Sequence, residues 1–181
     1  GKTVLAVTVI SLAINAFFKF FAPDLIGLTL GRAMEMVIGM DAGLIASFKK
    51  QIRGEVVMPS DDIYNSTRKV YNANIDKHPG MIVKCVDVAD VITSVNFGRE
   101  NDLLIAVRGG GHNGGGLGIC EGGMVIDLSG LKFIRVDTAN NTVRVGGGNL
   151  WGEVDHATHT FGLAIPAGII STTGVGGLTL G

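Results

Sequence analysis

Two cysteines in 181 residues, with no CxxC pair, exclude a disulfide scaffold and the common cysteine metal motifs. Cys85 falls inside an apolar run and reads as a small free hydrophobe, so no bridge to Cys120 is expected. Cysteine therefore leaves the redox compartment undecided. Net charge is equally scarce: 15 Lys and Arg against 16 Asp and Glu give −1. Such a balance argues against nucleic acid and against an electrostatically held membrane surface. No lysine directly follows a glycine in the GxxxxGK[ST] pattern, so there is no phosphate loop of that kind. The histidines His156 and His159 are three apart and lack the HExxH pattern, so no metal is expected and exposed helix positions are their default.

A long apolar span is missing too. Val4 to Phe18 is uncharged and mostly apolar, but Lys19 interrupts it and Pro23-Asp24 ends it. That is short for a bilayer span and about right for the apolar part of a signal segment. Residues 1–40 are accordingly open between a targeting segment, a membrane anchor and an extraneous piece. The first two imply a secreted or membrane-attached protein; a domain starting near Met40 implies a cytoplasmic one. A first residue that is not Met, and a stop inside a glycine-patterned run, read as a fragment of something longer. Asn65-Ser66-Thr67 and Asn140-Asn141-Thr142 match the glycosylation sequon, which many unmodified chains also do.

Glycine is what the chain has in excess, and 20 of its 28 lie between Gly109 and Gly181. The densest stretch is Arg108-Gly109-Gly110-Gly111-His112-Asn113-Gly114-Gly115-Gly116, directly after the apolar run Leu103–Val107. Backbone without side chains can close its N–H groups around an anion. A flexible connector is the plainer reading of the same residues.

The surrounding pattern favours a ligand. Asp41 caps a helix with Leu44, Ile45, Phe48 and Ile52 on its apolar face. A second helix is expected from Ile63 through Val70 and Tyr71 until His78-Pro79-Gly80 breaks it. Met81–Val86 reads as a strand, and Asp87 and Asp90 as a capping pair for a helix with Val88, Val91, Ile92 and Val95 facing inward. Gly98 ends that helix and Leu103–Val107 is a buried strand, making a βαβ unit with a parallel pair. The glycine loop then leaves the carboxyl end of a strand, where α/β sheets hold ligands.

After the loop comes a strand, Met124–Leu128, which excludes the nicotinamide-type GxGxxG fingerprint because that requires a helix. Phe133–Val136 and Thr142–Val145 form a hairpin around Ala139-Asn140-Asn141, with Arg135 and Arg144 on its solvated face. Asn149 caps a helix through Leu150, Val154, Ala157 and Phe161, and Leu163–Gly168 is a short strand. Thr172-Thr173-Gly174-Val175-Gly176-Gly177 is a second small-residue segment. Two glycine clusters predict two walls of one groove for a dinucleotide-sized anionic cofactor.

Ile82-Val83-Lys84-Cys85, Arg108-Gly-Gly-Gly-His112-Asn113, Val125-Ile126-Asp127-Leu128, Val145-Gly146-Gly147-Gly148, Gly162-Leu163-Ala164 and Gly174-Val175-Gly176-Gly177 together resemble the flavin-binding (PCMH-type) domain of FAD-linked oxidases. The resemblance is to berberine-bridge-enzyme-like and 6-hydroxynicotine-oxidase-like members and runs from about Asp41 to the end. It implies an α+β, two-subdomain FAD-binding domain, truncated at its C-terminus: a small βαβ subdomain over about 41–112 and a larger, mainly antiparallel one from about 113 to 181. It also implies cofactor contacts from Arg108, Gly109, Gly110, Gly111, His112, Asn113 and Gly114 and from Ala167, Gly168, Thr172, Gly174, Gly176 and Gly177. His112 takes the position that bonds covalently to the 8α methyl of the flavin. Ile170 stands where doubly linked relatives carry a cysteine, so attachment through His112 alone is expected.

For the whole protein the resemblance implies oxidation of a C–H next to O or N in a small molecule, with electrons passed to dioxygen. Alcohols, sugars, amines and alkaloid-like rings all qualify, and the base lies beyond residue 181. A flavoprotein dehydrogenase with another acceptor and a non-catalytic nucleotide-binding module remain alternatives, as does a degenerate, flavin-free copy.

Overall fold

The computed structural model describes residue 37 and residues 39–180. The expectations for residues 1–36 fall outside these. Among the described residues no helix is long and apolar enough to cross a membrane.

Asp41 accepts the Leu44 N–H at 3.0 Å and starts helix α1, Ala42–Gln51. Phe48 is its buried anchor and stacks on Phe97 with ring centroids 4.0 Å apart. Strand β1, Glu55–Val57, and a one-turn helix α2, Tyr64–Thr67, come next. Strand β2 is Met81–Lys84, helix α3 Val88–Glu100, strand β3 Ile105–Arg108 and strand β4 Met124–Asp127. These four strands form one sheet in the order β1-β2-β4-β3, antiparallel at β1–β2 and parallel elsewhere.

The two strands of the βαβ unit, β2 and β3, run parallel as expected, but β4 lies between them. The reason is burial. Met124, Val125 and Ile126 have no exposure, as do Met81, Ile82 and Val83, so both strands need cover on both faces. Alternate residues feed two apolar clusters, Met81, Val83, Met124 and Ile126 on the face of α1 and α3, and Ile82 and Val125 on the other. The edge position falls to β3, where Leu104 and Val107 are about half exposed, against the buried strand expected there. The sheet thus continues past the subdomain border expected at residue 112.

Helix α3 departs from its periodicity. Val88, Ile92 and Val95 face solvent, while Asp90, Ser94, Phe97 and Gly98 are buried. Asp87 does cap the helix through the Asp90 N–H. The Asp90 carboxylate, however, accepts the backbone N–H groups of Arg53, Gly54 and Val86 at 2.8 to 3.0 Å. Three hydrogen bonds to one carboxylate outweigh a stripe of β-branched residues and set the helix rotation. Gly98 sits inside the helix rather than ending it, because a side chain there would strike Ile105 and Met124.

Strands β5, Ile134–Asp137, and β6, Thr142–Val145, pair antiparallel with Arg135 opposite Arg144. Asn149 does not cap the next helix. It accepts the Phe133 N–H and donates to Glu153, which receives the Leu150 N–H and so starts helix α4, Trp151–His159. Gly162, at φ +69°, turns the chain out of α4. Residues 163–168 form no strand, and the second glycine segment runs straight into helix α5, Val175–Leu180.

Candidate functional site

The glycine loop is the connection from β3 to β4, and its first residue is built into the core. Arg108, 6% exposed, donates from Nη2 to Asp127 Oδ2 at 2.5 Å and to the Thr67 carbonyl at 2.9 Å, and from Nε to the same carboxylate oxygen at 3.2 Å. Asp127 is the β4 partner of Arg108 in the sheet register, so adjacent strand ends supply both charges. Nη1 is buried and has no partner among the described residues.

Two open cavities, of about 360 and 460 Å³, share Arg108, Gly109, Gly110, Gly111 and His112 as lining. The first adds Asn113, Thr173, Gly174 and Gly177; the second adds Lys69, Tyr71, Asp127 and Thr172. Trp151 Nε1 is also buried without a partner among the described residues, but it lines neither cavity. The two glycine segments therefore meet, as the sequence predicted. They meet in backbone contact, since a Cβ on Gly110 would lie 2.4 Å from the Gly174 nitrogen. Gly147 joins them, its carbonyl 2.9 Å from where a Cβ of Gly176 would be. Glycine is the residue that permits such approach. Of the other expected contacts, Gly114, Ala167, Gly168 and Gly176 line neither cavity.

His112 is half-buried. Its Nε2 lies 3.0 Å from Thr172 Oγ1, and its ring stacks on Tyr71 with centroids 3.9 Å apart and planes at 18°. Tyr71 belongs to the stretch read from sequence as a helix. Only Tyr64–Thr67 is helical, because the rest is bound to the glycine loop instead. The Tyr71 N–H donates to the Gly111 carbonyl, Asn72 Nδ2 to that of Gly114, and Lys77 Nζ to those of Gly116 and Ile119. This wall, with Lys69, Tyr71 and Asp127, was missed by sequence reasoning. The available signal was Asn72 and Asn74, residues that favour turns over helix interiors.

Both cysteines are free, and burial pushes each thiol up to about 11, which leaves them protonated and inert near neutral pH. His156 and His159 are exposed on α4. No group of three or more metal-ligating side chains is gathered among the described residues.

The arrangement has known relatives. Residues 79–181 match the FAD binding domain family, more than half of the chain. The chain is 36% identical to (R)-6-hydroxynicotine oxidase of Paenarthrobacter nicotinovorans over 71% of its length and 28% of that protein. Among solved structures, BBE-like 1 of Physcomitrella patens superposes with a TM-score of 0.70 at 30% identity, over 76% of this chain and 30% of that one. Phl p 4, a grass pollen allergen with glucose dehydrogenase activity, gives 0.67 at 28% identity, over 75% of this chain and 30% of that one. The chain belongs to the FAD binding domain family, which it shares with FAD-linked oxidoreductases, and carries the α+β fold of these relatives. It spans less than a third of the length of these relatives.

The residues present fit the cofactor of that family. Arg108 lines both cavities, and its buried Nη1 is a charged donor without a partner among the described residues, which suits an anionic pyrophosphate. Gly177 also lines the first cavity, and a Cβ there would meet nothing within 4 Å.

Proposed function

We propose that the protein containing this chain oxidises a C–H bond next to O or N in a small molecule, using FAD held covalently by His112 and reoxidised by dioxygen. The observation that carries this reading is the loop Arg108–His112, which borders both cavities with an unpartnered buried Nη1 at one end and an imidazole at the other.

Arg108 and the amides of Gly109, Gly110 and Gly111 are the residues that hold the pyrophosphate, with Asn113, Thr173, Gly174 and Gly177 closing the opposite side; Gly114, Ala167, Gly168 and Gly176 belong to the approaches to these segments. When bound, the flavin supplies a two-electron acceptor, and the chain supplies binding and orientation. Asp127 acts one step back from the ligand, fixing the Arg108 side chain through Nε and Nη2. With Ile170 at the position of the second linkage in doubly linked relatives, His112 is the single attachment point. A dehydrogenase using another acceptor is the second reading, favoured by the likeness to a structure with glucose dehydrogenase activity.

The test uses the full-length protein, denatured in acid and run on a gel under ultraviolet light. A fluorescent band that disappears in His112→Ala is expected. Yellow colour released into the supernatant keeps the flavin but removes the covalent link, and no flavin in either fraction leaves a nucleotide-binding module. Hydrogen peroxide formed during turnover separates oxidase from dehydrogenase.

A further inference from the structure

Tyr71 is 62% exposed, so no core requires an aromatic ring there. It nevertheless lies flat on the His112 imidazole, and its segment is tied to the glycine loop on both sides of that histidine, by its own N–H to Gly111 O at 3.1 Å and by the side chain of the next residue, Asn72 Nδ2 to Gly114 O at 2.9 Å. The second partner is equally anchored. Thr172 lies between two backbone bonds from the start of α4, Gly152 N–H to Ser171 O at 2.9 Å and Trp151 N–H to Thr173 O at 3.0 Å. Its hydroxyl occupies Nε2, and Nδ1 has no partner among the described residues.

We propose that Tyr71 and Thr172 are positioning residues that clamp the His112 ring and present its free nitrogen for covalent attachment of the flavin. The inference rests on the proposed histidyl linkage. A hydroxyl can donate to Nε2 or accept from it; the clamp takes the second arrangement, in which Nε2–H donates to Thr172 Oγ1 and Nδ1 carries the lone pair. The stacked Tyr71 ring blocks rotation about the Cβ–Cγ bond, which removes an orientational cost from the encounter. In the net attachment, one C–N bond forms between His112 and the 8α carbon, and one C–H and one N–H bond break. Two electrons and two protons pass to dioxygen, giving hydrogen peroxide. Neither clamp residue is consumed.

The experiment adds FAD to full-length apoprotein and tracks the fraction of flavin that stays with the polypeptide after acid denaturation. Attachment in Thr172→Ala and Tyr71→Ala is expected to slow by roughly tenfold to a hundredfold, the range for a misoriented reacting group. Thr172→Ser and Tyr71→Phe restore it, because they return the hydroxyl and the ring. A second readout needs no flavin: ¹⁵N spectra of the apoprotein show one dominant His112 tautomer, lost in Thr172→Ala and kept in Thr172→Ser. Wild-type rates in both alanine variants overturn the clamp. So does loss of reversible FAD binding in them, which makes the residues binding groups instead. A wild-type protein that releases all its flavin in acid overturns the histidyl linkage itself, and the clamp with it, before any variant is made.

Discussion

Arginine is treated oppositely in the two sheets of this protein. At the end of β3, Arg108 lines two cavities, is buried against Asp127, and keeps one nitrogen without a partner among the described residues. In the hairpin, Arg135 and Arg144 face each other on exposed positions, a cross-strand pairing that repels. The residue type is the same and the neighbours decide its use. A buried guanidinium keeps a donor unsatisfied only where a ligand rewards it, whereas solvent satisfies the hairpin pair at small cost.

Three substitutions, with Arg135→Asn as a control, break or sharpen that contrast. Asp127→Asn keeps the shape and removes the charge that compensates Arg108. Leaving a buried charge unpaired is expected to cost about 3–5 kcal/mol in urea unfolding of the folded protein. Gly110→Ala acts on the cradle instead of the charge. The added methyl meets the Gly174 backbone, so unfolding curves are expected to lose about 1–3 kcal/mol, with weaker retention of FAD on a desalting column. Arg144→Glu turns the repulsive hairpin pair into an attractive one. It is expected to gain roughly 0.2–1 kcal/mol, seen as a small rise in the urea midpoint with FAD retention unchanged. An equal loss from Asp127→Asn and Arg135→Asn would dissolve the distinction between the two sheets.

The sequence was legible where one physical signal acted alone. The Asp41 cap, the apolar runs of β2 and β4, the hairpin turn at Asn141 and the meeting of the glycine segments all appear as read. It misled where a long-range polar contact competed with periodicity. Asp90 rotates α3 because its partners, Arg53 and Gly54, are more than thirty positions away. The stretch after Thr67 gives up helix for bonds to a loop some forty residues later, and no local pattern encodes that exchange. Strand order was hidden for a related reason. Which of two apolar strands takes the centre depends on total burial, and Leu104 and Val107 could be judged exposed only once β4 was in place.

The β3–β4 connection has a consequence for how the protein is made. A parallel pair usually needs a helical crossover, and here residues 109–123 perform it with the ligand loop itself. As the polypeptide leaves the ribosome, β2 emerges more than forty residues ahead of the strand that will lie beside it. Until Asp127 is out, the β2 edge facing the future β4 has no neighbour to pair with, and such an edge invites contact with other nascent chains. The step that ends this exposure also pulls both ends of the loop into place. Completion of the sheet and placement of the first glycine loop are therefore one event in biogenesis, and the second glycine segment joins that loop only when residues 172–177 have followed.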